Sequence, residues 1–273
     1  IVSDNDGNTD TASDDATVTF ADVKPSLTVT KTANPTSVDF RGANVTFTFT
    51  VVNTSTEATT LRTLTDSVFG DLDGKGTCDV PVNLAPYDGV SGGADTYSCT
   101  YTVFLKGTKN ANGMGYVNHY NVVTATVWDD DGNSASASDS ETVTFTWKGR
   151  TPGYWKNWTS AWPAPYKPST TVVSVFTIPS SLSKSCITSK TTLLQALNYA
   201  GGNTVCGAAQ NLMRAAVAGL LNEAYYGDAF PAYASTTELI NAVNAALASG
   251  NRQTIINLMI YIDYWNNGDH SPI

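Results

Sequence analysis

Val45-Thr-Phe-Thr-Phe-Thr-Val-Val52 alternates apolar side chains with threonine. A period of two puts one set of side chains on a core and the other in water, which is the pattern of a half-buried strand. Threonine, β-branched and polar, suits the wet face of such a strand. The same alternation recurs in Ser26–Thr32, Thr96–Leu105, Tyr120–Val127 and Thr142–Trp147. Turn dipeptides separate these runs: Asn34-Pro35, Arg41-Gly42, Asp73-Gly74, Asp88-Gly89, Asn112-Gly113 and Asp131-Gly132. About seven short strands in roughly 120 residues predict an immunoglobulin-like antiparallel β-sandwich over residues 24–149. The antibody-type Cys…Trp…Cys spacing is absent, so only the architecture is predicted.

From Thr151 the pattern changes, and residues 150–273 form a second expected domain, a small all-α helical bundle. A Trp- and Pro-rich linker, 151–168, leads to a strand-like run from Val172 to Ile178. Apolar residues then recur with a period near 3.6, predicting helices over about Lys190–Ala200 and Thr204–Tyr226. Ser235-Thr-Thr-Glu238 is a capping box that starts a third helix, ended near Ala248 by Gly250 and Asn251. The last helix, about Arg252–Trp265, is apolar almost all round, which suits a central bundle position or an assembly face.

Residues 1–23 stand apart. Val2–Phe20 reads VSDNDGNTDTASDDATVTF, and Val127–Phe145 reads VWDDDGNSASASDSETVTF. The two align without a gap at an offset of 125 residues, with twelve of nineteen positions identical. The opening segment therefore reads as the closing strand or hairpin of a preceding module. Either it is left over from a tandem array, or it is an exposed strand pair that docks on a neighbour. Such a hairpin is too polar to fold alone, and its unpaired N–H and C=O groups are a template for another sheet edge. Val2, Val18 and Phe20 are its apolar assembly residues. Head-to-tail strand addition of this kind builds a filament from copies of one chain.

The net charge is −9 with only 14% charged residues, which excludes a phosphate-neutralising nucleic-acid binder and leaves cation binding or solubility. Lysines are never clustered, and no stretch has the length of a membrane span. The sequence begins at Ile1 without Met or a signal-type segment, from which a trimmed precursor or missing upstream residues is expected. Cysteines at 78, 99, 186 and 206 fall as one close pair in each half. Two local disulfides in an oxidising compartment are expected, each worth roughly 3 kcal/mol, and hence a secreted protein.

Three loops share the pattern Asp-x-Asp-Gly: Asp4/Asp6, Asp71/Asp73 and Asp129/Asp131. Alternate carboxylates on a tight loop offer hard oxygen ligands for Ca²⁺, although the EF-hand consensus is not met. The bland alternative is a hairpin turn in which Asp bonds its own backbone. His119 and His270 have no partner at metal-ligand spacing, and no nucleophile, zinc or phosphate-loop motif occurs, so no enzyme is expected. Trp155, Trp158, Trp162 and Tyr166 could form a sugar-stacking platform or wedge two domains together. Asn44, Asn53 and Asn157 open glycosylation sequons.

Pro25-Ser-Leu-Thr-Val-Thr-Lys-Thr-Ala-Asn-Pro35, Thr65–Cys78 with Tyr97-Ser-Cys99, and Asn121–Gly132 together resemble a repeat of prokaryotic cell-surface proteins. That repeat is a domain of unknown function with an immunoglobulin-like fold. Thr151-Pro-Gly-Tyr-Trp-Lys-Asn157 is similar to a Gly-Tyr/Phe-Trp-Lys-Asn-His motif that follows such repeats in secreted proteins, with Trp158 in place of the His. The resemblance implies an extracellular, structural or adhesive role without catalysis. The expected function is thus a structural subunit of an extracellular filament, sheath or matrix. The alternatives are a surface module that binds cell-wall or matrix polysaccharide through the Trp cluster, and a non-assembling fragment of a long repeat adhesin.

Overall fold

The computed structural model describes residues 1–19, 21–90 and 92–268. Eleven strands precede the helices among these residues: β1 Val2–Ser3, β2 Thr9–Asp10, β3 Leu27–Asn34, β4 Ser37–Asp39, β5 Ala43–Asn53, β6 Thr59–Asp66, β7 Gly70–Asp71, β8 Val82–Leu84, β9 Thr96–Leu105, β10 His119–Trp128 and β11 Ser134–Thr146. One sheet runs β3-β5-β9; a second runs β4-β11-β10-β6-β7, with β8 also on β6; β1 and β2 pair only with each other. The opening alternation is realised in β5, where Val45, Phe47, Phe49 and Val51 are all fully buried.

Two features depart from the simple reading. β4 pairs with β11 in parallel, through Val38 opposite Phe145, so the larger sheet is mixed rather than purely antiparallel. The strand β6 lacks a period of two: Leu61 and Leu64 are both buried although three residues apart. Its ladder with β10 explains this. Val127 faces Leu61 and Thr126 faces Thr63, so Arg62 is an extra residue that bulges out and resets the alternation.

Helices follow from residue 152: α1 Pro152–Asn157, α2 Ser180–Ser183, α3 Leu193–Leu197, α4 Val205–Tyr226, α5 Thr236–Ala248 and α6 Arg252–Asn266. The 151–168 segment is not a bare linker. Thr151 caps α1 by accepting the Tyr154 N–H at 3.1 Å, and Pro152 sits at the start where its missing N–H costs nothing. The run Val172–Ile178 is not a strand either; Val172–Ser174 is a 3₁₀ turn that buries Val172 and Phe176. Ser235 caps α5 as its capping-box sequence predicts, with its Oγ accepting from Glu238 N at 3.2 Å.

The chain divides into two compact units. One comprises Ile1–Lys31, Thr48–Thr100 and Val122–Ser140; the other comprises Thr32–Phe47, Tyr101–Asn121 and Glu141–Ile273. In the first, Phe49, Leu61, Leu64, Leu72, Val123 and Val127 are fully buried, and a Cys78–Cys99 disulfide closes the loop before β9. In the second, the helix α4 is the axis, buried along most of its length by Leu212, Met213, Val217, Leu220 and Leu221. Gly219 lets α6 and α5 approach it, since a Cβ there would lie 2.9 Å from Ile262 and 3.1 Å from Leu239. A Cys186–Cys206 disulfide ties the entrance of α4. Both expected disulfides are present, and no helix among the described residues is long and apolar enough to cross a membrane.

Candidate functional site

The two copies of the repeated sequence build the same turn. In β10–β11, Asp129 N–H donates to Asn133 O at 3.0 Å, and Asp129 Oδ1 and Oδ2 accept from Asn133 N (2.7 Å) and Nδ2 (2.9 Å). In the opening segment Asp4 N–H donates to Asn8 O at 2.9 Å, while its two oxygens accept from Asn8 N and Nδ2, each at 2.9 Å. These bonds hold the Asp4 carboxyl below its ordinary value, led by the Asn8 side chain. Local sequence therefore dictates the turn in both places.

Beyond the turn the two copies diverge. Val127 and Val143 are fully buried, whereas their counterparts Val2 and Val18 are 76% and 74% exposed. Thr9, the counterpart of Ser134, pairs with Ser3, and its neighbour Asp10 pairs with Val2; residues 11–19 belong to no strand. Phe20, the counterpart of Phe145, lies outside the described residues. The same two valines are thus core in one copy and bare in the other.

Beside the second turn lies an acidic cluster. Carboxylate oxygens of Asp22, Glu57 and Asp129 come within 4.8 Å of one another. Asp129 is buried, and Glu57 Oε2 is enclosed without a hydrogen-bond partner among the described residues. Burial first, then the charges of Asp130, Asp129, Asp131 and Asp22, push the Glu57 carboxyl above its ordinary value. Lys24 is the nearby counter-charge, 3.5 Å from Asp22 and 3.2 Å from Asn133 Oδ1. Hard carboxylate oxygens converging from three segments suit Ca²⁺ by their chemistry. Of these ligands the sequence pattern singles out only Asp129; Asp131 is exposed at the rim, its carboxyl raised by Asp130 and then Asp22.

The other Asp-Gly loops do different work. Asp71 Oδ1 accepts the Asp73 N–H at 3.1 Å and Asp73 Oδ1 accepts the Val80 N–H at 3.0 Å, so both fix a turn. Neither joins a third carboxylate in a cluster among the described residues. Asp6 donates its N–H to Asp4 Oδ1 at 2.9 Å in the exposed opening turn.

The aromatic residues 155–166 do not make one platform. Trp155 is fully buried, its indole donating to Asn222 Oδ1 at 3.0 Å, so it cannot stack on a sugar in this fold. Trp162 is half-buried and donates to Trp155 O, Tyr166 is half-buried against the helical core, and only Trp158, 60% exposed, faces solvent. The Asn53 sequon is also closed off: Asn53 is fully buried, donating to Glu57 O at 2.7 Å and Ala85 O at 2.8 Å. Asn44 and Asn157 are exposed.

No family model and no curated protein matches the chain. Among solved structures it is similar to the crystal structure of the "Putative ApaA Protein from Bordetella pertussis", at 14% identity over 45% of this chain and 94% of that one. The TM-score is 0.24, which is too low for the likeness to say anything of fold or function.

Proposed function

We propose that the chain is a structural subunit of an extracellular filament, sheath or matrix, with an immunoglobulin-like sandwich as its β part, and that it assembles by adding residues 1–19 to a sheet of another copy. The observation that carries this reading is the exposure of Val2 and Val18 beside the burial of Val127 and Val143 in the repeated sequence. Burying each valine on a partner contributes about 2 kcal/mol, and the strand's unpaired backbone groups gain a ladder. Two disulfides fit an oxidising, extracellular setting.

Deleting residues 1–19 tests the reading, because it leaves Asp22 and the acidic cluster in place. The intact chain is expected to form ordered polymers by electron microscopy and light scattering, and the shortened chain to stay folded and monomeric. Equal behaviour of the two chains overturns the assembly role.

Calcium is the proposed cofactor, held by Asp22, Glu57 and Asp129. By binding the folded chain alone it stabilises by mass action. Adding Ca²⁺ is expected to raise Tm, and a chelator to reverse the rise. Without cation, the raised Glu57 carboxyl costs stability as pH climbs through the window above its ordinary value, since the native state holds a proton that the unfolded chain releases. Glu57→Gln should therefore raise Tm in chelator and abolish the response to Ca²⁺. A calcium response unchanged in that variant removes the cluster from consideration.

A further inference from the structure

Lys31, on β3, and Asp66, at the end of β6, meet inside the β unit with both side chains completely excluded from solvent. The amine Nζ lies 2.5 Å from Asp66 Oδ2. It also lies over two aromatic faces, 5.6 Å from the Phe49 ring centre and 5.9 Å from that of Phe69. The other carboxylate oxygen, Oδ1, accepts the backbone N–H groups of Val68 at 2.9 Å and Phe69 at 3.0 Å. The strand that carries the amine is pinned separately, by Lys31 N–H donating to Asp139 Oδ2 at 2.7 Å.

A buried ion pair is a poor stabilising device, because the desolvation of both charges offsets most of their attraction. The geometry here has a second use. A nucleophilic nitrogen sits at one carboxyl oxygen, two N–H donors are aimed at the other, and both side chains are shut off from solvent, which are parts that acyl-transfer sites also use. We infer that Lys31 and Asp66 join to form an intramolecular amide cross-link between β3 and β6. The Nζ–Cγ bond forms and the Cγ–Oδ2 bond breaks. Oδ1 carries the charge of the tetrahedral intermediate, facing the Val68 and Phe69 N–H groups. Of the three ammonium protons one stays on the amide nitrogen and two leave with Oδ2 as water, so the step balances without any co-reactant. The apolar surroundings oppose the charged forms of both partners, which favours passing the proton from Nζ to Oδ2 before attack. In the resting pair the hydrogen bonds win: burial acts to raise the Asp66 carboxyl, but Lys31 and the Phe69 and Val68 N–H groups leave it below its ordinary value. The step is expected to be slow and to follow folding.

The cross-link is independent of assembly, and its test needs only the full chain. After reduction of the disulfides, the intact mass is expected to be one water below that of the sequence. Asp-Gly steps can also lose water, so position is read by peptide mapping. Trypsin should fail to cut after Lys31, and a branched peptide should join the segments containing Lys31 and Asp66. Lys31→Ala and Asp66→Ala should each restore the full mass. Should either variant fail to fold, the wild-type peptide map decides alone. A wild-type chain at full sequence mass, or one cut after Lys31 with no branched peptide, overturns the cross-link and leaves an ion pair only. A water loss that persists in Lys31→Ala overturns it as well.

Discussion

Replacing Asn222 by alanine should destabilise the protein by about 4 kcal/mol, at the upper end of what a single truncation does. The side chain has no exposure, and its amide uses every position it has. Oδ1 accepts from Arg150 N at 2.8 Å and from Trp155 Nε1 at 3.0 Å. Nδ2 donates to Arg150 O and to Asn266 Oδ1, each at 2.8 Å. Asn266 in turn donates to Ala215 O at 3.0 Å, so one connected network joins the start of the 150–157 segment, α4 and α6. Truncation leaves a backbone N–H, a backbone C=O and a buried indole N–H without this partner, at about 1–3 kcal/mol each before relaxation. Urea unfolding followed by tryptophan fluorescence should show a lower midpoint with an unchanged slope. A loss below about 1 kcal/mol would mean that water enters and replaces the amide. Asn222→Asp separates the two halves of the network, because it keeps the acceptor and loses the donor to Arg150 O and Asn266.

That network lies beyond what sequence patterns reach. The strands β5 and β10 were legible because one buried face and one wet face write a period of two directly into the chain. The strand β6 was not, since the bulge at Arg62 shifts the phase and leaves Leu61 and Leu64 looking unrelated. The helices α4, α5 and α6 were legible from period and caps, whereas α1 was hidden in a Trp- and Pro-rich stretch. Its signal was present in Thr151-Pro152, a cap followed by a proline suited to a first helical turn. Trp155 could not be told from a surface aromatic, because the core that buries it and the Asn222 that accepts its indole N–H come from far along the chain. The acidic cluster was one-third legible for the same reason: Asp129 sits in a recognisable turn, but Asp22 and Glu57 reach it only through the tertiary fold. Lys31 and Asp66 were likewise ordinary letters in two polar runs until the fold placed them together.

A second large effect concerns Glu223, on α4 and only 8% exposed, whose Oε2 has no hydrogen-bond partner among the described residues. Burial first, then the nearby charges of Asp228 and Glu238, push its carboxyl from 4.5 up to about 7. The native state therefore keeps a proton that the unfolded chain gives up at lower pH. Stability from this group is full below its ordinary value and falls as pH rises through the window up to about 7. The whole displacement corresponds to roughly 3 kcal/mol, and relaxation and partial screening around the carboxyl bring the expected loss nearer 2 kcal/mol. Glu223→Gln keeps the shape and removes the charge. It should be more stable than the wild type by about 2 kcal/mol at pH 8 and nearly equal to it at pH 4, measured by urea unfolding at both values. A carboxylate held below its ordinary value, such as Asp129, acts in the opposite direction and loses its contribution only as pH falls further. The wild type should then be most stable in mildly acidic solution, and the variant's optimum should move up toward neutrality. A variant whose pH profile superimposes on the wild type would show that Glu223 finds a partner or water in solution, and the optimum would have to be traced to other groups.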